Sequence, residues 1–149
     1  MEIFNKDLIL LDVDANDKNS ILKIMVDKVY SSGVLSDKNK FLEDVIFREE
    51  FMSTYVGRGI SIPHAKSTSV LKSAVCLARL KEDNEIVWNK DSYDSVRVVI
   101  MIAVEEGEND IHLKIISKLA RSLMHDDFVN NILNSDLETL YKILNNLNI

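Results

Sequence analysis

Several residue types are scarce in this 149-residue chain, and each scarcity excludes a class of protein. Cys76 is the only cysteine, so the chain can form neither an internal disulfide nor a redox pair of cysteines. One proline and four glycines argue against low complexity and disorder. The longest uninterrupted apolar run covers residues 98–104, far fewer than the about 20 residues that a membrane-spanning helix needs.

Basic residues are also in the minority. The 24 acidic residues outnumber the 18 basic ones and give a net charge of −6, which argues against a nucleic-acid partner and favours a basic protein partner. The N-terminal MEIFNKDLIL has no basic segment followed by a long apolar stretch, so we expect no signal peptide, no membrane insertion and a cytoplasmic location. The length predicts a single domain over residues 1–149.

The hydrophobic pattern predicts both helices and strands, in an irregular order. Residues 96–104 are apolar on both faces, as expected for the buried centre of a sheet covered by helices. We therefore predict an α/β fold, a three-layer sandwich in which a central mixed β-sheet is flanked by helices. The predicted strands are residues 7–13, 60–62, 74–80 and 96–104; the predicted helices are residues 18–32, 37–50, 111–124, 127–133 and 137–147.

A glycine-containing loop is predicted where the helical pattern fails, after residue 50. Gly57 and Gly59 flank Arg58, and backbone amides in such a turn can converge into an anion-binding nest. Together with the hydroxyl of Thr54, this loop could supply neutral hydrogen-bond donors. Taken alone, a Gly-x-Gly segment beside a histidine is more often only a turn.

A histidine with a stiff support follows the loop. Pro63 restricts the backbone immediately before His64, so the imidazole would be aimed from a fixed position. Imidazole is a good nucleophile near neutral pH because one ring nitrogen keeps its lone pair. Arg48, at the end of a predicted helix, could supply a forked pair of donors to an anion, although a surface charge is the more common role there.

The segment as a whole resembles the signature of the fructose–mannitol class of IIA domains of the bacterial phosphoenolpyruvate-dependent sugar phosphotransferase system. The resemblance spans nearly the whole chain; Ser61 and Tyr55 depart from the usual residues of that signature. The matching residues are Arg48-Glu49, Ser53-Thr54, Gly57-Arg58-Gly59-Ile60, Ser61-Ile62, Pro63-His64, Trp88 and Ile111-His112-Leu113.

This resemblance implies a phosphotransferase that works through a phosphohistidine. His64 would accept a phosphoryl group from the carrier protein HPr and pass it to a cysteine of the IIB component, coupled through IIB to the membrane component IIC. His112, at the positive end of a helix that Asp110 would cap, and Arg48 would stabilise charge. Thr54, Gly57 and Gly59 would bind the phosphate, with no metal and no cofactor. A fructose-like sugar is the first expectation for the transported substrate.

Docking of both partners at one histidine needs a small shared surface around it. We expect an apolar centre drawn from the loop and an acidic rim that faces basic residues on HPr. The apolar candidates are Met52, Tyr55, Val56 and Ile60, and the acidic ones are Glu49, Glu50 and residues 105–110.

Two other functions remain open at this point. One is a regulatory, nitrogen-type IIA phosphocarrier without transport, which would use the same histidine chemistry. The other is a metal-dependent hydrolase in which His64, His112 and a carboxylate bind the metal. Against the hydrolase, no HExxH spacing is present and Arg48 would repel a cation.

Overall fold

The computed structural model describes residues 3–149. It contains eight strands and five helices within that range. In chain order they are β1 (Phe4–Val13), α1 (Lys18–Ser31), α2 (Lys38–Phe51), β2 (Tyr55–Gly57), β3 (Ile60–Ser61), β4 (His64–Ser67), β5 (Ala74–Leu80), β6 (Ile86–Asn89), β7 (Asp94–Val96), β8 (Val98–Glu105), α3 (Asn109–Ser122), α4 (Asp126–Asn134) and α5 (Leu137–Asn145).

Six of these strands form one mixed sheet with β8 at its centre. The order is β1-β5-β8-β3-β2, and β4 pairs with the same edge of β8 as β3, farther along the strand. Strands β3 and β4 run parallel to β8, whereas β5 runs antiparallel to it and β1 runs parallel to β5. Strands β6 and β7 form a separate two-stranded sheet.

Alternate side chains of β8 enter two different cores, because successive residues of a strand point to opposite faces. Val99, Met101 and Ala103 pack in the core that contains the buried residues of α1 and α2. The other face, with Ile100 and Ile102, packs against the buried residues of α3, α4 and α5. The predicted three-layer α/β sandwich with a mixed sheet is confirmed.

Aspartates cap three of the helices, as the sequence suggests for the first two. Asp17 and Asp37 accept hydrogen bonds from the backbone N–H groups three residues later, and Asp136 does the same for α5. Gly33 follows α1 with a φ of +86°, a conformation that favours glycine. Within the described residues, no helix is both long and apolar enough to cross a bilayer.

Helix α3 begins at Asn109, before its predicted start at residue 111, and Asp110 does not cap it. Its N-cap is Glu108, which makes no side-chain capping bond, and Asp110 lies inside the first turn. Ile115 and Leu119 form the buried stripe, whereas Leu113 is 65% exposed. The sequence carries apolar residues on two adjacent stripes of this helix, and only packing against the sheet selects between them.

Candidate functional site

A break in strand pairing on one edge of β8 creates the local structure around His64. Strand β3 pairs with β8 up to Val99, and pairing resumes where His64 lies opposite Ile102. Between them, the carbonyl of Ile62 accepts a hydrogen bond of 2.8 Å from Nδ1 of His64. A carbonyl can only accept, so the proton is on Nδ1 and the lone pair is on Nε2. Nε2 is therefore the nitrogen of His64 that carries a lone pair available to a ligand.

A second imidazole faces this one. His112 lies in the first turn of α3, and its ring centroid is 5.3 Å from that of His64, with 47° between the ring planes. Its Nε2 atom is buried and has no hydrogen-bond partner. A buried polar atom without a partner is costly, so this nitrogen is suited to contact a polar group of a ligand between the rings.

Positive charge surrounds the two imidazoles. Arg48, in the last turn of α2, donates from Nη1 to the carbonyl of Met52 at 2.7 Å, which leaves its other donors available. Lys66 is two residues beyond His64 on β4 and donates to Oδ1 of Asn109, at the start of α3, at 2.8 Å. Sequence reasoning did not identify Lys66, although the period of two along a strand places it on the same face as His64.

Burial and these cations keep both imidazoles neutral. Burial lowers the pKa of His64; the charge of Arg48 lowers it further, while the bond to Ile62 and the charge of Glu49 act in the opposite direction. The pKa of His112 is also lowered, first by burial and then by His64, Lys66 and Arg48. The lone pair of His64 is therefore free at neutral pH.

We expect NMR titration of the imidazole C–H signals to give midpoints below the ordinary value of about 6.5 for both residues. A lowered pKa means that the neutral form persists to more acidic pH. Because the unfolded chain binds these protons more readily, the same shifts reduce stability as the pH falls below about 6.5. A midpoint above 6.5 for His64 would contradict the neutral acceptor.

The glycine turn lies away from this site, contrary to prediction. Gly57 and Gly59 have φ values of +92° and +82° and belong to the hairpin that joins β2 to β3. The carbonyl of Gly59 accepts from N of Arg97, whereas His64 is level with Ile102. Five residues of strand separate the two levels by about 16 Å, out of reach of a phosphoryl group on His64. The two glycines therefore provide the positive φ values that the β2–β3 turn requires.

Both hydrogen-bond donors of Thr54 are also bound to another side chain. Its N–H donates to Oε2 of Glu49 at 2.7 Å and its hydroxyl donates to Oε1 at 2.5 Å, and both residues are buried. Neither Thr54 donor is free for a phosphate in this conformation. Glu49, expected in the acidic rim, is only 5% exposed, and its Oε2 also accepts from Nε1 of Trp88 at 3.3 Å.

The carboxylate needed for the alternative metal site is not assembled with the histidines. Among residues 3–149, no group of three or more His, Cys, Asp and Glu side chains is arranged to hold a metal ion. Cys76 is buried within β5, and burial raises its thiol pKa to about 12.

Comparison with known sequences identifies close counterparts over most of the chain. A model of the family described as "Phosphoenolpyruvate-dependent sugar phosphotransferase system, EIIA 2" matches residues 2–147. The PTS system fructose-specific EIIABC component of Bacillus subtilis is 32% identical over 137 residues, which are 92% of this chain and 21% of that protein. The PTS system fructose-specific EIIA component of Haloferax volcanii is 32% identical over 130 residues, 87% of this chain and 83% of that protein.

Solved structures share the fold. The nitrogen regulatory protein IIA-Ntr of Neisseria meningitidis has a TM-score of 0.86 at 23% identity and covers 96% of this chain and 97% of its own. The mannitol enzyme IIA of Escherichia coli, solved in complex with phosphorylated enzyme IIB, has a TM-score of 0.79 at 20% identity. That match covers 96% of this chain and 99% of the other.

Proposed function

Because this chain belongs to the EIIA 2 family of the phosphoenolpyruvate-dependent sugar phosphotransferase system, we propose that it carries a phosphoryl group on Nε2 of His64. The observation that carries this assignment is the bond from Nδ1 to Ile62, which leaves Nε2 unprotonated on a ring whose centroid is 5.3 Å from that of His112. The proposed localisation is the cytoplasm, where the donor and the acceptor of the phosphoryl group would meet.

The proposed reaction is an in-line transfer from a phosphohistidine of HPr. The Nε2 lone pair of His64 forms a bond to phosphorus while the donor P–N bond breaks, and its electron pair returns to the donor imidazole. The transferring group is loose and carries its charge on three equatorial oxygens. Arg48 and Lys66, whose charges act on the imidazoles, and His112, whose ring faces His64, would stabilise this charge.

In the second step, a cysteine thiolate of IIB would attack the same phosphorus. A P–S bond forms, the P–N bond to His64 breaks, and the electron pair returns to Nε2. Two similarities support IIB as the partner: the Bacillus relative is an EIIABC component, and the mannitol IIA neighbour was solved with phosphorylated IIB. IIB would connect this chain to IIC, and the names of the relatives favour a fructose-like sugar.

Exposed apolar side chains at the end of α2 and the start of α3 would form the docking surface for both partners. Phe47, Phe51 and Met52 project from the end of α2, and Leu113 follows His112 on α3; all four are exposed. Of the apolar residues expected in this role, Met52 and Val56 are exposed and Tyr55 is partly buried. Ile60 is fully buried, so its place in the docking surface was wrongly predicted.

A direct assay tests the proposal. The protein is incubated with phosphoenolpyruvate, Enzyme I and HPr, and intact mass is measured before and after acid treatment. We expect one acid-labile phosphoryl group per chain. No uptake from phospho-HPr would overturn the assignment.

A regulatory, nitrogen-type role is the second candidate, because the Neisseria IIA-Ntr shares the fold. The fructose-system relatives are more similar in sequence and favour transport. Transfer of the label onto the cysteine of a IIB encoded beside this chain supports transport, and its absence supports regulation.

Salt should slow the transfer from HPr. The exposed acidic residues near the site are Glu50, Glu106, Glu108 and Asp110, and their attraction to a basic partner raises the association rate. Exposed charges are screened over about 8 Å at 0.15 M salt, so we expect a rate that falls from low to physiological salt. Rapid-quench kinetics of transfer from labelled HPr measure it.

The variant Glu106→Gln/Glu108→Gln should weaken this salt dependence. Glu82→Gln, an exposed substitution beyond the opposite end of β8, should leave it unchanged and serves as the control. A wild-type rate that stays flat across the salt range would leave apolar contact as the main determinant of docking.

A further inference from the structure

We propose that Glu49 is a positioning residue for phosphoryl transfer, because its buried carboxylate fixes the backbone segment whose carbonyl orients His64. This inference rests on the proposed function, but its structural part concerns the unphosphorylated protein. It gives a structural role to a charged residue that is buried and therefore not available for contact with a partner.

Glu49 is held as an acceptor at the end of α2. Three donors converge on its two oxygens: the N–H and the hydroxyl of Thr54 and Nε1 of Trp88. No lysine or arginine of the described residues lies within ion-pair distance of it. A buried carboxylate without a cation is costly, and an apolar residue would fill this volume at lower cost. Packing alone therefore does not explain why a carboxylate occupies this position.

The bonds of Thr54 continue to the imidazole. The carbonyl of Thr54 accepts from N of Ile62 at 3.0 Å, and the carbonyl of Ile62 accepts from Nδ1 of His64 at 2.8 Å. A continuous path of hydrogen bonds thus joins Glu49 to His64 through two backbone segments. Thr54 and Ile62 sit across from each other beside the short β2–β3 pairing, so holding one fixes the other.

The end of α2 supports the site in two ways at once. Arg48 and Glu49 are consecutive, and successive residues of a helix point about 100° apart. Arg48 stays close to the imidazoles and braces Met52, whereas Glu49 turns inward and holds Thr54. One turn of α2 therefore holds both Arg48, the cation that would contact the phosphate, and Glu49, the carboxylate that holds the segment next to His64.

Three variants separate positioning from charge. Glu49→Gln keeps the shape: its oxygen can accept from Thr54 N–H and Trp88, and its amide can donate to the Thr54 hydroxyl, which rotates. Glu49→Ala removes every contact. Glu43→Ala is the matched control, because Glu43 is an exposed glutamate of the same helix.

Two readouts are needed: the ¹⁵N NMR tautomer of His64 without any phosphoryl donor, and kcat and KM for transfer from phospho-HPr. For Glu49→Ala we expect a loss of the Nδ1–H tautomer and a kcat reduced about 10²-fold, as for a misaligned nucleophile, with KM unchanged. Glu49→Gln and Glu43→Ala should keep the wild-type tautomer and kcat. Arg48 and His112 still face His64 in Glu49→Gln. A lower titration midpoint of His64 in this variant would therefore show that the negative charge of Glu49 has been removed.

A folded Glu49→Ala protein with the wild-type tautomer and kcat would overturn the proposal, as would a large kcat loss in Glu49→Gln with the tautomer intact. If Glu49→Ala does not fold, Thr54→Val removes one link, and an unchanged tautomer and kcat in that variant overturn it equally. Failure of the proposed function is distinguishable, because it would abolish phosphoryl uptake in the wild type while the tautomer experiment still reports on Glu49.

Discussion

Replacing His64 with alanine should eliminate phosphoryl uptake. The other imidazole in the site belongs to His112, which our interpretation places as a contact to the phosphoryl oxygens. The remaining histidine, His125, is exposed at the start of α4 and makes no side-chain capping bond there. The substitution removes the imidazole whose Nδ1–H bond to Ile62 leaves Nε2 unprotonated.

The measurement is the intact mass after incubation with phosphoenolpyruvate, Enzyme I and HPr. Wild-type protein should gain one acid-labile phosphoryl group and His64→Ala none, while His125→Ala should be labelled as fast as the wild type. The same extent of labelling in His64→Ala would show that the phosphoryl group is carried elsewhere, and peptide mapping would then locate it.

Arg48→Ala and His112→Ala should each slow transfer by about 10²–10³-fold, the usual cost of removing one well-placed donor. Both variants should still be labelled on His64, because the Ile62 bond that orients the nucleophile remains. Arg48→Lys should recover only part of the loss, since an ammonium is a point charge and cannot donate as a planar fork.

Single-turnover rates with labelled HPr decide this prediction. Arg121→Ala, in the last turn of α3, changes a cation on the same helix as His112 but at its other end, and should leave the rate unchanged. Near-normal rates in both Arg48→Ala and His112→Ala would remove these side chains from the mechanism.

The helices were predictable because their apolar side chains recur with a clear period, and β8 was predictable because it is a continuous apolar run. The helices at both ends and the central strand β8 were found within a few residues of their observed bounds. Four short strands, β2, β4, β6 and β7, were missed. Strand β4 has the sequence HAKS, whose polar residues indicate a loop; pairing with β8 determines its conformation, and that pairing is a tertiary effect.

Local sequence patterns predicted the surroundings of His64 only where chain neighbours are also neighbours in space, whereas His112, distant in sequence, was expected there from the family resemblance. His64 was identified from its local motif. Gly57 and Gly59 are nearly as close to the motif in sequence, but the register of pairing with β8 places them at the far level of the strand. Glu49 shows the opposite failure. Its charge suggested a solvent-exposed rim, and only the packed fold reveals that three donors meet it beneath the loop.

The acceptor that orients His64 belongs to the main chain, and this affects how the site tolerates mutation. The carbonyl of Ile62 is present whichever side chain occupies that position, so another apolar residue that fits the core there would keep the imidazole's partner. Pro63 is different: any other residue would add an N–H that seeks its own acceptor and would relax the backbone. In related chains we therefore expect exchange among apolar residues at position 62 and little change at position 63.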